Sequence, residues 1–327
     1  MKTSAKNIPD AATDPAIDAR VRPFLAELNK NSDPFWELPG DQVRGILTGL
    51  QDQTPVDVSG ITIEEMTISP GGQPILLYII RPQGVKEKLP VLLFIHGGVW
   101  KAGNFANHKR LVRDLVIGAG VAAVFVEYTP IPEAIYPTQI NEVYAAAKWI
   151  VRHGDQINVD GNRLAVAGNS VGGNMSAALS IMAKDRGEFR ISFQALLYPA
   201  VGADFDTESY NAYATGRFLT KAFMQYGYDI YAPGAELRKQ PYAVPMSATT
   251  EQLKGLPPAL IQTAENDPLR DEGESYGRKL NEAGVDVTVT RYNGMIHDFA
   301  LLNAINTVPA VRSSILQITS ELKKYLK

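Results

Sequence analysis

The stretch that decides the fold is "RLAVAGNSVGGNMSAAL", residues 163–179. Its apolar first half predicts a buried strand, and the part after the glycines favours a helix. The pentapeptide GNSVG, residues 168–172, places Ser170 at the junction. A sharp strand-to-helix turn can present a serine hydroxyl as a nucleophile, and it requires very small residues two positions before and after the serine. The pattern therefore predicts a nucleophilic serine, with a closely packed glycine-rich turn as the alternative.

Outward from this stretch, strand-like and helix-like segments alternate along most of the chain. About eight segments have strand patterns, at 61–68, 74–82, 91–96, 121–128, 163–168, 193–199, 258–265 and 285–292. The first two flank a glycine-containing turn and predict an antiparallel pair. Helical patterns separate most of the others, which indicates right-handed crossovers and a mainly parallel sheet. The expected fold class is α/β, with about eight mostly parallel strands flanked by helices.

Two regions break this alternation. Residues 1–55 have helical patterns without a strand, and residues 202–250 are rich in Tyr and Phe. Insertions into open α/β sheets gather at the carboxyl edge, where ligands bind, so these residues predict a lid, although ordinary helical packing has the same composition. We therefore expect a helical segment at 1–55 and a helical insertion at 202–250. The α/β core would comprise 56–201 and 251–327.

A serine nucleophile needs a base, and because the chain has no cysteine that base is expected to be a histidine. The chain order in such folds is nucleophile, acid, histidine. This order selects His297, since the other three histidines precede Ser170: His96, His108 and His153.

The acid is expected between the serine and the histidine, at the end of a strand. The segment "ALIQTAENDPLRDEGESY" offers Glu265, Asp267, Asp271 and Glu272. Asp267 precedes a proline, so its backbone is biased away from helix and it belongs to the loop that leaves the strand. Asp271 and Glu272 fall in the first turn of the next helix, where carboxylates also occur as partners of the helix dipole. We therefore select Asp267, which would orient His297.

An oxyanion needs backbone N–H donors where negative charge develops. One donor is expected from Val171, and others from the loop in "FIHGGVW", residues 94–100, where Gly97 and Gly98 allow close approach of the backbone. His96 at the strand end is expected to hold this loop. No cluster of His, Asp or Glu has metal-ligand spacing, so neither a metal nor another cofactor is expected.

Composition restricts the partners. A net charge of −3 over 327 residues gives no electrostatic case for nucleic acid, so no nucleic-acid partner is expected. No apolar run is long enough for a membrane span. The N-terminal residues as given contain no apolar signal region, which predicts a cytoplasmic protein. The expected partner is a small molecule, and the sequence leaves a homodimer open.

These residues resemble motifs of the hormone-sensitive-lipase-like branch (family IV) of the α/β-hydrolases, a group of carboxylesterases. The family motifs H-G-G-G, G-D-S-A-G-G and D-P-L-x-D and its histidine motif correspond to HGGV (96–99), GNSVGG (168–173), DPLRD (267–271) and HDF (297–299). The resemblance implies an α/β-hydrolase fold with a helical cap, made of an N-terminal cap segment at 1–55 and a cap insertion at 202–250. It implies Ser170 as nucleophile, Asp267 as acid and His297 as base. It also implies an oxyanion hole at Gly98, Val99 and Val171, with Gly97 supporting the loop.

Two positions depart from the family pattern. Asn169 stands where the family usually has aspartate, and Val99 replaces the third glycine. A β-branched valine avoids positive φ, so position 99 is expected to stay extended. Its methyl groups would then narrow the part of the site that binds the alcohol group of an ester, which would disfavour esters of tertiary alcohols.

The leading functional hypothesis is a serine carboxylesterase that hydrolyses short- to medium-chain esters through an acyl-enzyme. Acyl chains of roughly two to eight carbons are expected if the pocket is closed and apolar. The proposed pocket residues are Trp100, Asn169, Tyr210 and Phe218. The alternatives are an amidase or peptidase with the same triad, and a non-catalytic ligand-binding relative.

Overall fold

Eight strands form one sheet in the computed structural model, which describes residues 8–30 and 34–327. The strands are β1 (Ile61–Ile68), β2 (Ile75–Pro82), β3 (Leu89–Ile95), β4 (Ala122–Glu127), β5 (Val159–Asn169), β6 (Phe193–Leu197), β7 (Ala259–Asn266) and β8 (Val287–Ile296). Their spatial order is β1-β2-β4-β3-β5-β6-β7-β8. β2 pairs antiparallel with β1 and β4, and every other pair is parallel. The predicted α/β sheet and its antiparallel first pair are confirmed.

The central strands of the sheet are buried on both faces, as their continuous apolar runs predict. In β3, Val91, Leu93 and Ile95 belong to one apolar cluster. Leu92 and Phe94, which alternate with them, belong to a second cluster on the other face. This period of two places a hydrophobic core on each side of the sheet.

Helices cover both faces and supply the connections. In the described residues they are α1 (Arg22–Leu28), α2 (Gly40–Asp52), α3 (Phe105–Ala119), α4 (Thr138–His153), α5 (Val171–Arg186), α6 (Glu208–Ala212), α7 (Lys221–Tyr231), α8 (Ala235–Arg238), α9 (Thr250–Leu253), α10 (Arg270–Glu282) and α11 (Pro309–Tyr325). The Asn104 side chain accepts a hydrogen bond from the Asn107 N–H at the start of α3, and Gly120 ends that helix at a φ of 69°. These caps fix both ends of α3.

The two regions outside the alternation contact each other. α1 and α2 precede the sheet, and α6 to α9 lie between β6 and β7. The Phe35 ring lies 5.4 Å from the Phe223 ring of α7, and the Phe24 ring lies 6.3 Å from Phe218. Of the predicted N-terminal cap segment, residues 1–7 and 31–33 lie outside the described residues.

Candidate active site

Ser170 occupies the single residue between β5 and α5, with a φ of 56° and a ψ of −123°. Such a backbone conformation is rare for a residue with a side chain. The flanking glycines make it sterically accessible. A Cβ on Gly168 would lie 2.4 Å from the Gly172 carbonyl carbon, and one on Gly172 would lie 2.0 Å from the Ile95 carbonyl oxygen. The turn therefore combines close packing with an unusual conformation at the serine itself.

The structure brings three predicted side chains together. Asp267 is the first residue after β7 and His297 the first after β8. Ser170 Oγ lies 3.0 Å from His297 Nε2, and His297 Nδ1 lies 2.8 Å from Asp267 Oδ2. All three side chains are buried. This arrangement can pass a proton from the serine hydroxyl to an imidazole that a carboxylate orients.

The other three candidate acids have different partners. Asp271 Oδ2 accepts a hydrogen bond from the Ser209 N–H at 2.8 Å. Glu265 Oε2 accepts one from the Gly294 N–H, and Glu272 Oε1 accepts one from the Gly202 N–H. Each of these carboxylates fixes a loop or a helix start.

His297 is held between two carboxylates. Burial alone lowers its pKa, but Asp267 and Asp298 outweigh burial, so the pKa of His297 lies above its ordinary value. Asp298 Oδ2 lies 3.8 Å from His297 Nε2, on the side that faces Ser170. Asp298 was not among the sequence candidates, although it directly follows the histidine in the HDF motif.

The Asn169 side chain joins three parts of the site. Its Oδ1 accepts a hydrogen bond from the Gly97 N–H at 3.0 Å, and its Nδ2 donates one to Asp298 Oδ1 at 2.8 Å. His108 Nε2 lies 3.1 Å from the same Oδ1. Burial lowers the pKa of His108 to about 4, so that imidazole is neutral near pH 7. Asn169 thus connects residues that surround the reacting atoms. No sequence signal had indicated that His108 belongs to this network.

The loop after β3 carries the predicted oxyanion donors. The Gly97 N–H is already paired with Asn169, which leaves Gly97 a supporting role. Gly98 has a φ of 98°, and a Cβ there would lie 2.3 Å from the Gly103 nitrogen. Its carbonyl accepts hydrogen bonds from Lys101 and Ala102. Among the described residues no acceptor is paired with the Gly98 or Val99 N–H. Both groups, with the Val171 N–H at the first position of α5, are free to receive a ligand.

The expectation that Val99 stays extended is wrong. Val99 has a φ of 53° and Trp100 a φ of 56°. Conformations of this kind cost on the order of 1–3 kcal/mol each, so surrounding contacts must impose them. Val99 Cγ1 faces Gly227 of α7, where an added Cβ would lie 2.1 Å from it. The expectation that Val99 excludes esters of tertiary alcohols assumed the extended conformation, so the structure does not support it.

His96 supports the same loop, in agreement with the sequence interpretation. Its ring stacks on Tyr128 at 4.0 Å, and its Nδ1 lies 2.9 Å from the Gly97 carbonyl oxygen. Burial is the main cause that lowers the pKa of His96 well below its ordinary value. A neutral, stacked imidazole therefore packs against the loop without adding a charge to it.

The predicted aromatic pocket residues are packed to different degrees. Trp100 is buried against Tyr231, and Tyr210 is buried edge-on to Phe205. Phe218 is partly buried, and Ser170 is only 1% exposed. A separate cavity of about 820 Å³ opens beside α10 and the insertion, and none of Ser170, Trp100, Tyr210 or Phe218 lines it.

In residues 8–30 and 34–327, no group of three or more His, Asp or Glu side chains is arranged to hold a metal ion. Within the same residues, no helix is both long and apolar enough to cross a bilayer.

Replacement of Asp298 by asparagine should move the acidic limb of the kcat/KM profile to lower pH. A general base works when neutral, so activity falls as the pH drops through the pKa of His297. Removal of the Asp298 charge takes away one cause that raises this pKa, and the asparagine carbonyl can still accept from Asn169. The measurement is the pH dependence of kcat/KM for para-nitrophenyl butyrate. Asp271→Asn serves as the control, and an unshifted limb in Asp298→Asn would contradict the expected coupling.

Comparison with known proteins identifies relatives that match most of the chain. A family model described as alpha/beta hydrolase fold matches residues 92–301. The chain is 34% identical over 312 residues to putative alpha/beta hydrolase R526 of Acanthamoeba polyphaga mimivirus, which covers 94% of this chain and 88% of that protein. It is 34% identical over 268 residues to carboxylesterase NlhH of Mycobacterium tuberculosis, with 81% of this chain and 83% of that protein covered.

Among solved structures, a thermostable esterase from Pseudomonas putida ECU1011 is similar over nearly the full length. The two chains share 51% sequence identity and superpose with a TM-score of 0.94. The match covers 96% of this chain and 99% of the Pseudomonas chain.

Proposed function

Because the chain belongs to the hormone-sensitive-lipase-like branch of the α/β-hydrolase family and is a carboxylic ester hydrolase, we propose that Ser170, His297 and Asp267 perform its chemistry. The observation that carries the proposal is the hydrogen-bonded line from Asp267 Oδ2 through His297 to Ser170 Oγ, with separations of 2.8 and 3.0 Å.

In the first half-reaction the Ser170 hydroxyl donates its proton to His297 Nε2 while its oxygen attacks the ester carbonyl carbon. The His297 Nδ1–H donates to Asp267, which favours the reactive tautomer and stabilises the imidazolium. The N–H groups of Gly98, Val99 and Val171 would receive the negative charge on the former carbonyl oxygen. Collapse of this intermediate breaks the bond to the alcohol oxygen, which takes the proton from His297 and leaves as the alcohol.

In the second half-reaction His297 removes a proton from water, and the resulting hydroxide oxygen attacks the acyl-enzyme carbonyl. Collapse returns the proton to Ser170 and releases the carboxylic acid. The balance is one ester and one water in, one alcohol and one acid out.

The substrate class that we propose is soluble esters with short to medium acyl chains. Ser170 and His297 are each only 1% exposed. A nucleophile with so little exposed surface suits a small ester better than a lipid surface, and we propose that α1, α2 and the α6–α9 insertion form a cap over it. An extra methylene gains only about 1–3 kcal/mol in an apolar pocket, and overpacking reverses the gain.

The expected result is faster turnover of butyrate esters than of long-chain substrates. With para-nitrophenyl esters from acetate to palmitate, kcat/KM should peak at roughly two to eight acyl carbons, where apolar burial still outweighs overpacking. Emulsified triolein, measured by pH-stat titration, should react more slowly than dissolved tributyrin. Faster hydrolysis of the emulsion would contradict the proposed pocket.

A comparison of ester with amide separates this proposal from the amidase alternative. Para-nitrophenyl butyrate and the matching para-nitroanilide have the same acyl group and similar chromophores. We expect ester turnover to exceed anilide turnover by several orders of magnitude. Comparable kcat/KM values would favour an amidase.

A further inference from the structure

We propose that α7 positions the oxyanion loop, with Tyr226, Gly227 and Tyr231 holding the turn Gly98–Lys101 in its strained conformation. This inference rests on the proposed function, because it assigns the Gly98 and Val99 N–H groups to the developing oxyanion. The residues of α7 act here through the loop, as positioning residues, and do not themselves touch the reacting atoms.

The turn has a geometry that its own sequence disfavours. The Lys101 N–H donates to the Gly98 carbonyl at 2.9 Å, and both central residues have positive φ, as in a type I′ turn. Such turns prefer Gly, Asn or Asp at these positions, whereas this one has Val99 and Trp100. A β-branched residue at positive φ is unusual, so the conformation must depend on contacts from outside the turn.

Three consecutive residues of the turn contact α7. Val99 Cγ1 fills the space that a Cβ on Gly227 would occupy, at a distance of 2.1 Å. The Trp100 ring stacks on Tyr231 with centroids 3.9 Å apart and an interplanar angle of 9°. Lys101 Nζ donates to Tyr226 Oη at 2.7 Å. Every side chain of the turn is therefore fixed from the same helix.

Lys101 also fastens the turn to the N-terminal region. Its Nζ donates to the Trp36 carbonyl oxygen at 2.7 Å, and its side chain is almost completely buried. Among the described residues no carboxylate forms an ion pair with it. The ammonium group is thus solvated by one hydroxyl and one carbonyl, which belong to the two regions outside the sheet. The geometry of the turn therefore depends on the position of both regions.

Loss of the contacts between α7 and the turn should destabilise the transition state more than it weakens substrate binding. If α7 withdraws or changes shape, Val99 and Trp100 can relax to negative φ, and that rotation redirects the adjacent N–H groups. The charge on the carbonyl oxygen is largest in the tetrahedral state, so a misdirected donor lowers kcat with little effect on KM.

Gly227→Ala is the decisive variant. The new Cβ would lie 2.1 Å from Val99 Cγ1, so the Val99 side chain, the loop that carries it or α7 must shift. We expect kcat for para-nitrophenyl butyrate to fall roughly 10²-fold or more, as when an oxyanion donor is lost. KM should change little. The Ki of an alkyl trifluoromethyl ketone, which forms a tetrahedral adduct with the serine, should rise in parallel with the loss of kcat.

A second substitution tests whether the clash with Val99 is the cause. Without Val99 Cγ1, the nearest atoms to the Gly227 Cβ would be the Val99 carbonyl oxygen at 3.4 Å and Val99 Cβ at 3.6 Å, both ordinary contacts. Val99→Ala combined with Gly227→Ala should therefore recover kcat to the level of Val99→Ala alone. Gly49→Ala in α2, where a Cβ meets nothing within 4 Å, is the matched control and should leave kcat unchanged.

Tyr226→Phe provides a second test of the role of α7, which can be measured even if Gly227→Ala fails to fold. Tyr226 is only partly buried, and this change removes the hydroxyl that accepts from Lys101. It should lower kcat several-fold and raise the trifluoromethyl ketone Ki by the same factor. Unchanged kcat in Gly227→Ala and Tyr226→Phe, or a loss in Gly227→Ala that the double variant does not reverse, would overturn the inference. Failure of the proposed triad would be seen separately, as retained turnover in Ser170→Ala.

Discussion

Ser170→Ala is expected to lower kcat for para-nitrophenyl butyrate by roughly 10⁴-fold or more, because a nucleophilic residue acts as a unit with its base. Alanine has no oxygen to lie 3.0 Å from His297 Nε2, so neither the covalent bond nor the proton transfer can occur. The remaining rate enhancement of this variant would come from the backbone N–H donors of the oxyanion hole and from substrate binding alone. The fold should persist, since the side chain is small and the flanking glycines still leave room for the turn.

The matched control is Ser180→Ala in the same helix that follows the nucleophile. Ser180 is also buried, and its hydroxyl donates to the Ser176 carbonyl at 2.9 Å. Loss of this bond should reduce stability by about 1 kcal/mol and leave kcat nearly unchanged. Thermal melting would show that both variants fold. Turnover near the wild-type value in a clean preparation of Ser170→Ala would exclude Ser170 as the nucleophile.

Most strands could be predicted because their apolar runs are continuous or alternate cleanly, and β1 has the predicted bounds. β5 begins at Val159, four residues before the predicted Arg163, since the polar residues Asp160 and Asn162 conceal the extension. β8 continues to Ile296 through Gly294, which has a φ of 76° and resembles a turn in the sequence. Both errors come from local composition that sheet pairing overrides.

The three proposed catalytic residues were accessible from sequence because the chemistry restricts residue type and the fold restricts their order. The conformation of Val99 was not accessible. It depends on Gly227 and Tyr231, which are remote in sequence and approach only in the folded chain. The contacts of Asn169 with His108 and Asp298 are equally long-range. Local preference therefore identifies the reacting groups, whereas tertiary packing decides how they are held.

Asp267→Asn should be nearly as damaging as loss of the nucleophile, with kcat/KM reduced on the order of 10⁴-fold. Asp267 Oδ2 lies 2.8 Å from His297 Nδ1 and also compensates the charge that the imidazole gains. An asparagine that presents its NH₂ group there favours the tautomer with the proton on Nε2, which cannot accept from Ser170. An asparagine that presents its oxygen retains the tautomer but not the charge. The first orientation disables the base, and the second leaves the imidazolium without the charge that stabilises it.

Asp271→Asn separates this role from a general effect of acidic residues near the site. Asp271 follows in the same DPLRD segment but accepts from the Ser209 N–H, and an asparagine oxygen can keep that bond. Its lost charge at the start of α10 is worth about 0.3–1 kcal/mol, enough to shift stability slightly but not catalysis. Both variants would be assayed for kcat/KM with para-nitrophenyl butyrate, together with thermal melting. Only a large loss confined to Asp267→Asn fits a carboxylate that acts through His297. A larger loss in Asp271→Asn would transfer the role of the acid to that residue.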